Sequence, residues 1–206
     1  MKTNVRMIMA TMTVALAGLA AQPAQANLIE AASWNGGGTQ SNYSKAIGWQ
    51  FEVNTDMYVT HLGVLDLGDT GLNDEHTVGI FDSDGELVVS TTIGAGLSGD
   101  LMAGSMIYDT VAITALSKGE SYYILADNWS NDDYAWGNSA VSFSDDIDWL
   151  NFSESTTSSI FDSVQHFEGE NGNLGPGFMY RPAPAPGALA LLALAGCCST
   201  RRRRTT

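Results

Sequence analysis

Three acidic loops and three histidines hold the residues with chemistry to offer. The first loop is Asp66-Leu67-Gly68-Asp69-Thr70-Gly71-Leu72-Asn73-Asp74-Glu75-His76. Asp and Asn oxygens are hard donors, and interspersed glycines let the backbone turn its carbonyls inward. Asp66, Asp69, Asn73 and Asp74 are therefore a candidate calcium site. Their spacing is not that of an EF-hand. The same residues also suit a polar, turn-rich loop in which Asp side chains cap backbone amides, with no ion needed. The second loop runs from Asp127 to Trp136 (DNWSNDDYAW). Trp129, Tyr134 and Trp136 offer flat faces for sugar rings beside Asp and Asn acceptors, which makes them candidate glycan-binding residues. The competing reading makes Trp129 and Trp136 core anchors at strand ends. Asp132 and Asp133 are further candidate cation ligands. The third cluster is Asp145-Asp146-Ile147-Asp148-Trp149, where paired carboxylates suit glycosidase acid–base work. With 23 acidic residues in the chain, no single pair stands out. His61, His76 and His166 are isolated and show neither H-x-H nor H-E-x-x-H spacing. His76 precedes a strand and is placed to cap it or pair with Asp74. There is no G-x-S-x-G elbow, P-loop or dinucleotide fingerprint, and no catalytic residue is assigned.

The elements that must position these loops read as β throughout. Ala46 to Val53 alternates cleanly, with Ile47, Trp49, Phe51 and Val53 on one face. Met57 to Leu65 is a second strand. His76 to Phe81 and Glu86 to Ile93 flank Asp82-Ser83-Asp84-Gly85, and Asp-Gly between apolar stretches is a strong hairpin signal. Met106 to Ile113 and Ser121 to Asp127 form a further pair around the turn Leu116 to Glu120. Ala140 to Phe143 and Ser158 to Val164 are weaker strand candidates. Short strands separated by Gly, Asp and Asn turns predict an all-β fold, a single β-sandwich of jelly-roll-like or immunoglobulin-like form.

The two ends read differently. Lys2 and Arg6 precede an apolar stretch from Met7 to Ala21, and Ala24-Gln25-Ala26 is a small-x-small cleavage site. Residues 1–26 are read as a secretory signal peptide, cut before Asn27. At the other end, Pro184-Ala185-Pro186-Gly187 leads into an apolar run of 12 residues ending at Cys198, followed by Arg201, Arg202, Arg203 and Arg204. An apolar run against an Arg cluster describes a segment that enters a bilayer and keeps its charges cytoplasmic. Leu194-Ala195-Gly196-Cys197 spells a lipobox, but lipidation needs that motif at the end of an N-terminal signal.

Removing both ends sharpens the electrostatics. The whole chain carries a formal charge of −14. Between the ends only Lys45, Lys118 and Arg181 remain against all 23 acids, a net of −20. Such a surface excludes nucleic acid as a partner, favours solubility and attracts divalent cations. Both cysteines, Cys197 and Cys198, lie in the tail, so the domain at 27–181 is held by its core alone and has no Cys-type zinc site.

The tail at 182–206 resembles the PEP-CTERM sorting signal of exosortase-processed bacterial proteins, in a Pro-Ala-Pro form with Ala185 where the signature has Glu. Val59 to Ile93, the stretch Leu116-Ser117-Lys118-Gly119-Glu120-Ser121-Tyr122-Tyr123-Ile124, and Gly175-Pro176-Gly177-Phe178 are similar to an all-β domain common in that group. The similarity spans roughly Ile47 to Tyr180. The resemblance implies the export machinery and an exosortase-like enzyme as partners, transient anchoring in the inner membrane, delivery to the cell surface or extracellular matrix, and association with exopolysaccharide in biofilm. It implies no activity. The leading expectation is an exported, non-enzymatic, matrix-associated protein. The alternatives are a carbohydrate-active hydrolase using an Asp/Glu pair and a calcium-stabilised adhesive module.

Overall fold

The computed structural model describes residues 28–136, 141–168 and 174–183. The leader with its cleavage site at Ala24, Ala26 and Asn27, and the tail from Pro184 to Arg204, lie outside the described residues. Among the described residues the chain is all-β. Three short strands come first: β1 (Ile29–Glu30), β2 (Ala32–Trp34) and β3 (Thr39–Gln40). The main strands follow: β4 (Ile47–Val53), β5 (Met57–Leu65), β6 (His76–Asp82), β7 (Leu87–Ile93), β8 (Leu101–Ala103), β9 (Met106–Leu116) and β10 (Ser121–Ala126). The last five are β11 (Tyr134–Ala135), β12 (Val141–Phe143), β13 (Ile147–Ser155), β14 (Val164–Glu168) and β15 (Pro176–Pro182).

Pairing is antiparallel throughout. One sheet has the order β1-β15-β5-β9-β8 and the other β14-β13-β4-β10-β6-β7, with β11-β3 and β12-β2 as two small ribbons. The period-2 pattern of β4 explains how the sheets meet. Ile47, Trp49, Phe51 and Val53 are fully buried, and they share one apolar cluster with Val59, Leu62 and Val64 of β5 and Phe178 and Tyr180 of β15. Inner-face side chains of both sheets thus form a single core, an arrangement consistent with a β-sandwich.

Trp49 ties the two sheets together. Its ring stacks on Phe178 at 5.9 Å and contacts Phe51 and Phe143 at 5.0 and 5.2 Å. Its indole Nε1 donates a 2.8 Å hydrogen bond to the Pro176 carbonyl, so a side chain of one sheet is bonded to the backbone of the other. A buried indole N–H needs such a partner, and here the partner also fixes the separation of the layers.

One expected strand is absent, and one strand of the fold has no counterpart in the sequence reading. Ser158 to Val164 is not a strand but a turn-rich segment that enters β14 only at Val164. Hydroxyls take the backbone amides there: Ser159 N–H donates to Thr157 Oγ1 and Phe161 N–H to Ser159 Oγ, both at 3.1 Å, which competes with a ladder. Conversely, the nine-residue β13 takes in the second half of the acidic cluster at 145–149, with Asp148 in the strand and Asp145 and Asp146 in the turn before it. A register shift between Trp149 and Asn151 breaks its alternation, so its period is hidden in the sequence.

With no disulfide among the described residues to hold the layers, Trp49→Ala is expected to lower unfolding free energy by about 3–5 kcal/mol in urea titration. Trp49→Phe, which keeps most of the ring and loses the Pro176 bond, is expected to cost less.

Candidate functional site

The two loops that the sequence presents separately, 66–76 and 127–136, are laced into one structure at one end of the sheets. Asp132 is the hub. Its Oδ1 accepts the Asn73 backbone amide at 2.7 Å and the Asn73 side-chain amide at 3.2 Å. Its Oδ2 accepts the Asp74 amide at 2.9 Å and faces His76 Nε2 at 3.1 Å. The other nitrogen of His76, Nδ1, lies 2.6 Å from the Asp127 carbonyl. Asp127 Oδ1 in turn accepts the Thr77 amide at 2.6 Å. Side-chain amides finish the seam: Asn128 donates to the Glu75 carbonyl, Asn131 to Asp74 Oδ2, and Asn73 to the Asn131 carbonyl, at 2.7–2.8 Å.

This geometry assigns the acidic residues. Asp132, 5 % exposed, has four donors around its two oxygens. Asp66, equally buried, caps its own turn by accepting the Gly71 amide at 3.0 Å. Asp69 is exposed in the left-handed conformation (φ 55°), a state Asp tolerates in turns. Asn73 and Asp74 face Asp132 and Asn131 rather than Asp66. Among the described residues, no group of three or more His, Cys, Asp or Glu is gathered closely enough to hold a metal ion. Asp66, Asp127 and Asp132 serve as acceptors for backbone amides, the capping role open to such loops, and Asp74 accepts the Asn131 side chain.

The aromatic residues divide. Trp129 is fully buried: its ring lies 4.7 Å from His76, and its Nε1 donates to the Ala126 carbonyl at 2.8 Å. The chain passes so close at Gly175 that a Cβ there would sit 2.1 Å from Trp129 Cη2. Tyr134 is also fully buried, edge-on to Tyr43 and Trp129. Neither offers a ring face to a sugar, so the expectation of glycan contact at these two residues is corrected: they are core residues. Trp136 is 47 % exposed and is the one of the three that presents its ring to solvent.

The remaining candidates are dispersed. His76 is fully buried, and both its nitrogens are engaged by protein oxygens, so neither opens onto a surface a nucleophile could share. Asp146 of the third acidic cluster accepts the Tyr180 hydroxyl at 2.8 Å. Burial holds that phenol above its usual range; the Ser144 hydrogen bond opposes this and the Asp146 one adds to it. Asp148 is exposed and stands opposite Glu52 across the β13–β4 pair. Glu154 is an acid the sequence does not single out. It is buried and accepts the Lys45 ammonium and the Tyr43 hydroxyl, using one of the three basic side chains of the domain. The role of Asp132 was equally invisible, because its partners lie 56 to 59 residues away and no local spacing announces them.

What these features define is a class: an all-β protein of antiparallel sheets whose acidic loops are cross-braced by a buried histidine–carboxylate pair. No known protein-family profile matches the chain, and no curated protein is significantly similar to it in sequence.

Two outcomes follow. Asp132→Ala strands His76 and two loop amides, and is expected to destabilise by about 3 kcal/mol or more in urea titration. His76→Ala combined with Asp132→Ala should cost clearly less than the sum of the single changes. The second concerns pH. Burial lowers the proton affinity of His61 and His166 in the fold. The unfolded chain therefore takes up protons first as pH falls below the ordinary histidine value of 6.5, and stability present above that pH is lost. A His61→Gln/His166→Gln variant should gain melting temperature relative to wild type between pH 6.5 and about 5.

Proposed function

We propose that this is an exported, non-enzymatic protein of the bacterial cell surface or extracellular matrix, built as a jelly-roll-like β-sandwich and sorted through a PEP-CTERM-type tail. The observation that carries the proposal is the pairing of β1 with β15. Ile29 lies opposite Tyr180 and Glu30 opposite Met179. The chain therefore enters and leaves the described domain side by side, at one end of one sheet. Signal peptide and tail join that same end, so both can engage a membrane and be cut without any part of the core unfolding. Pro182 closes β15, and Ala183 N–H donates to the Asp56 carbonyl at 2.8 Å, which ties down the domain's last described residue just before Pro184.

The composition supports the same reading. A domain with three basic and 23 acidic side chains stays soluble outside the cell and repels anionic polymer. Exposed polar loops cross-linked by side-chain hydrogen bonds replace the disulfides common in exported domains. The partners are the export machinery, an exosortase-like processing enzyme and exopolysaccharide.

Cell fractionation of a producing strain tests this reading. The full chain is expected first in the membrane fraction and then, shortened, at the surface or in the matrix. A chain lacking 184–206 is expected in soluble form only. Identical fractionation of the two chains overturns the sorting role of the tail.

A further inference from the structure

The end of β15 opens onto a groove, and the sequence beyond it is of a kind that grooves hold. From Pro182 the chain alternates, Pro182-Ala183-Pro184-Ala185-Pro186. Each proline fixes φ at about −65°, and an alanine that precedes a proline is kept out of the helical region. The sequence therefore favours an extended course beyond the strand. Pro184 and Pro186 have no N–H with which to prolong a sheet ladder, so apolar contact is what remains to hold them.

The strand's direction points the chain at this groove. Pro182 lies opposite Met57, and Ala183 N–H donates to the Asp56 carbonyl at 2.8 Å, so the chain runs antiparallel to β5 and past its first residue. Asn54 and Thr55 of the β4–β5 turn and Lys118 of the β9–β10 turn line a groove of about 520 Å³, and Ala183 itself is part of the lining. Tyr58, 39 % exposed, and the exposed Ala115, its partner in the β5–β9 ladder, supply an apolar flank. The two turns are bonded to the fold: Asn54 N–H donates to the Asp146 carbonyl at 2.8 Å, Lys118 N–H to Asp56 Oδ1 at 2.8 Å, and Gly119 N–H to the Val53 carbonyl at 2.7 Å. Among the described residues the lining carries one acid, Asp56, and one base, Lys118. In a domain of net −20 this is a locally neutral surface, and the sequence between Pro182 and Arg201 has no charged residue.

We propose that this groove is the docking site of the chain's own Pro184-Ala185-Pro186 segment, with Tyr58 and Ala115 as its apolar contacts. Proline-rich segments bind aromatic-lined grooves at low entropic cost, because their backbone is already restricted. The segment is tethered one residue from Ala183, which gives it an effective concentration on the order of millimolar or above, and an outside ligand would have to displace it. Once docked, it lies against the domain. A processing enzyme then reaches it only in the fraction of molecules in which it has lifted away. The groove is thus a brake on cutting at the Pro motif. That purpose rests on the sorting reading, whereas the docking itself does not.

Two measurements on the purified full chain in a polyoxyethylene detergent test this: NMR of isotopically labelled proline, and digestion by a proline-specific endoprotease. An Ala–Pro bond in a free peptide shows roughly 10–30 % cis. In the wild type, Pro184 and Pro186 are each expected to give a single trans set, and cutting after them is expected to be slow. Tyr58→Ala and Ala115→Arg, both at exposed positions, should bring back the cis set. They should also speed the cutting about tenfold at unchanged melting temperature, since cutting follows the undocked population. Trp136→Ala, in the 127–136 loop, should change neither readout. A free-peptide cis fraction in the wild type, or cutting indifferent to both groove variants, overturns the assignment. So does protection that fades on dilution, which would place the segment in the groove of a second copy. No processing enzyme is present, so the docking and the tail-dependent sorting fail independently.

Discussion

The bond from the Trp49 indole to the Pro176 carbonyl is the contact on which the rest of the structure depends. Neither sheet is stable as an isolated layer, because the main apolar cluster is built from side chains of both. The described domain has no cysteine with which to staple them. Trp49 supplies a large apolar surface, a stack on Phe178 and a directed hydrogen bond in one side chain. Its partner lies at the start of β15, so the same contact fixes where the last strand begins and hence where Gly175 passes over Trp129. The position of the loop cluster is in this sense inherited from the core.

The loop cluster shows how a very acidic chain manages its own charge. Asp66, Asp82, Asp127 and Asp132 accept backbone amides, and Glu154 takes a lysine and a phenol. These acids hold turns that would otherwise leave amide groups without acceptors. Asp127 shows the tension in the arrangement. Burial pushes its carboxyl up while the Thr77 bonds pull it down, and burial is the larger effect.

Much of the fold was legible because β4 to β7 and β10 follow local rules. The apolar residues of β4 alternate strictly, β5, β6 and β10 are compact apolar runs bounded by turn residues, and the Asp-Gly hairpin is a two-residue signal. The strand at β13 was not legible, since a one-residue shift in register defeats a period of two. The segment around Ile160 was misread for the opposite reason: its residue types suit a strand, but its hydroxyls bond locally. Of the candidate site, the capping role of Asp66 could be read from its loop. The Asp132–His76 pair could not, because it exists only through contacts between segments distant in sequence. Aromatic residues were visible as types, but nothing in the sequence separates a buried Trp129 from an exposed Phe161.

The placement of β15 has a mechanical consequence. It lies between β1 and β5, and its C-terminal end is the one that continues into the tail. A load applied through the tail runs along the strand axis, so the ladder to β5 is strained in shear, with its hydrogen bonds sharing the force rather than opening one at a time. Trp49, bonded to the far end of the same strand, adds resistance from the opposite sheet. A domain held at this point to a surface is gripped along its strongest direction.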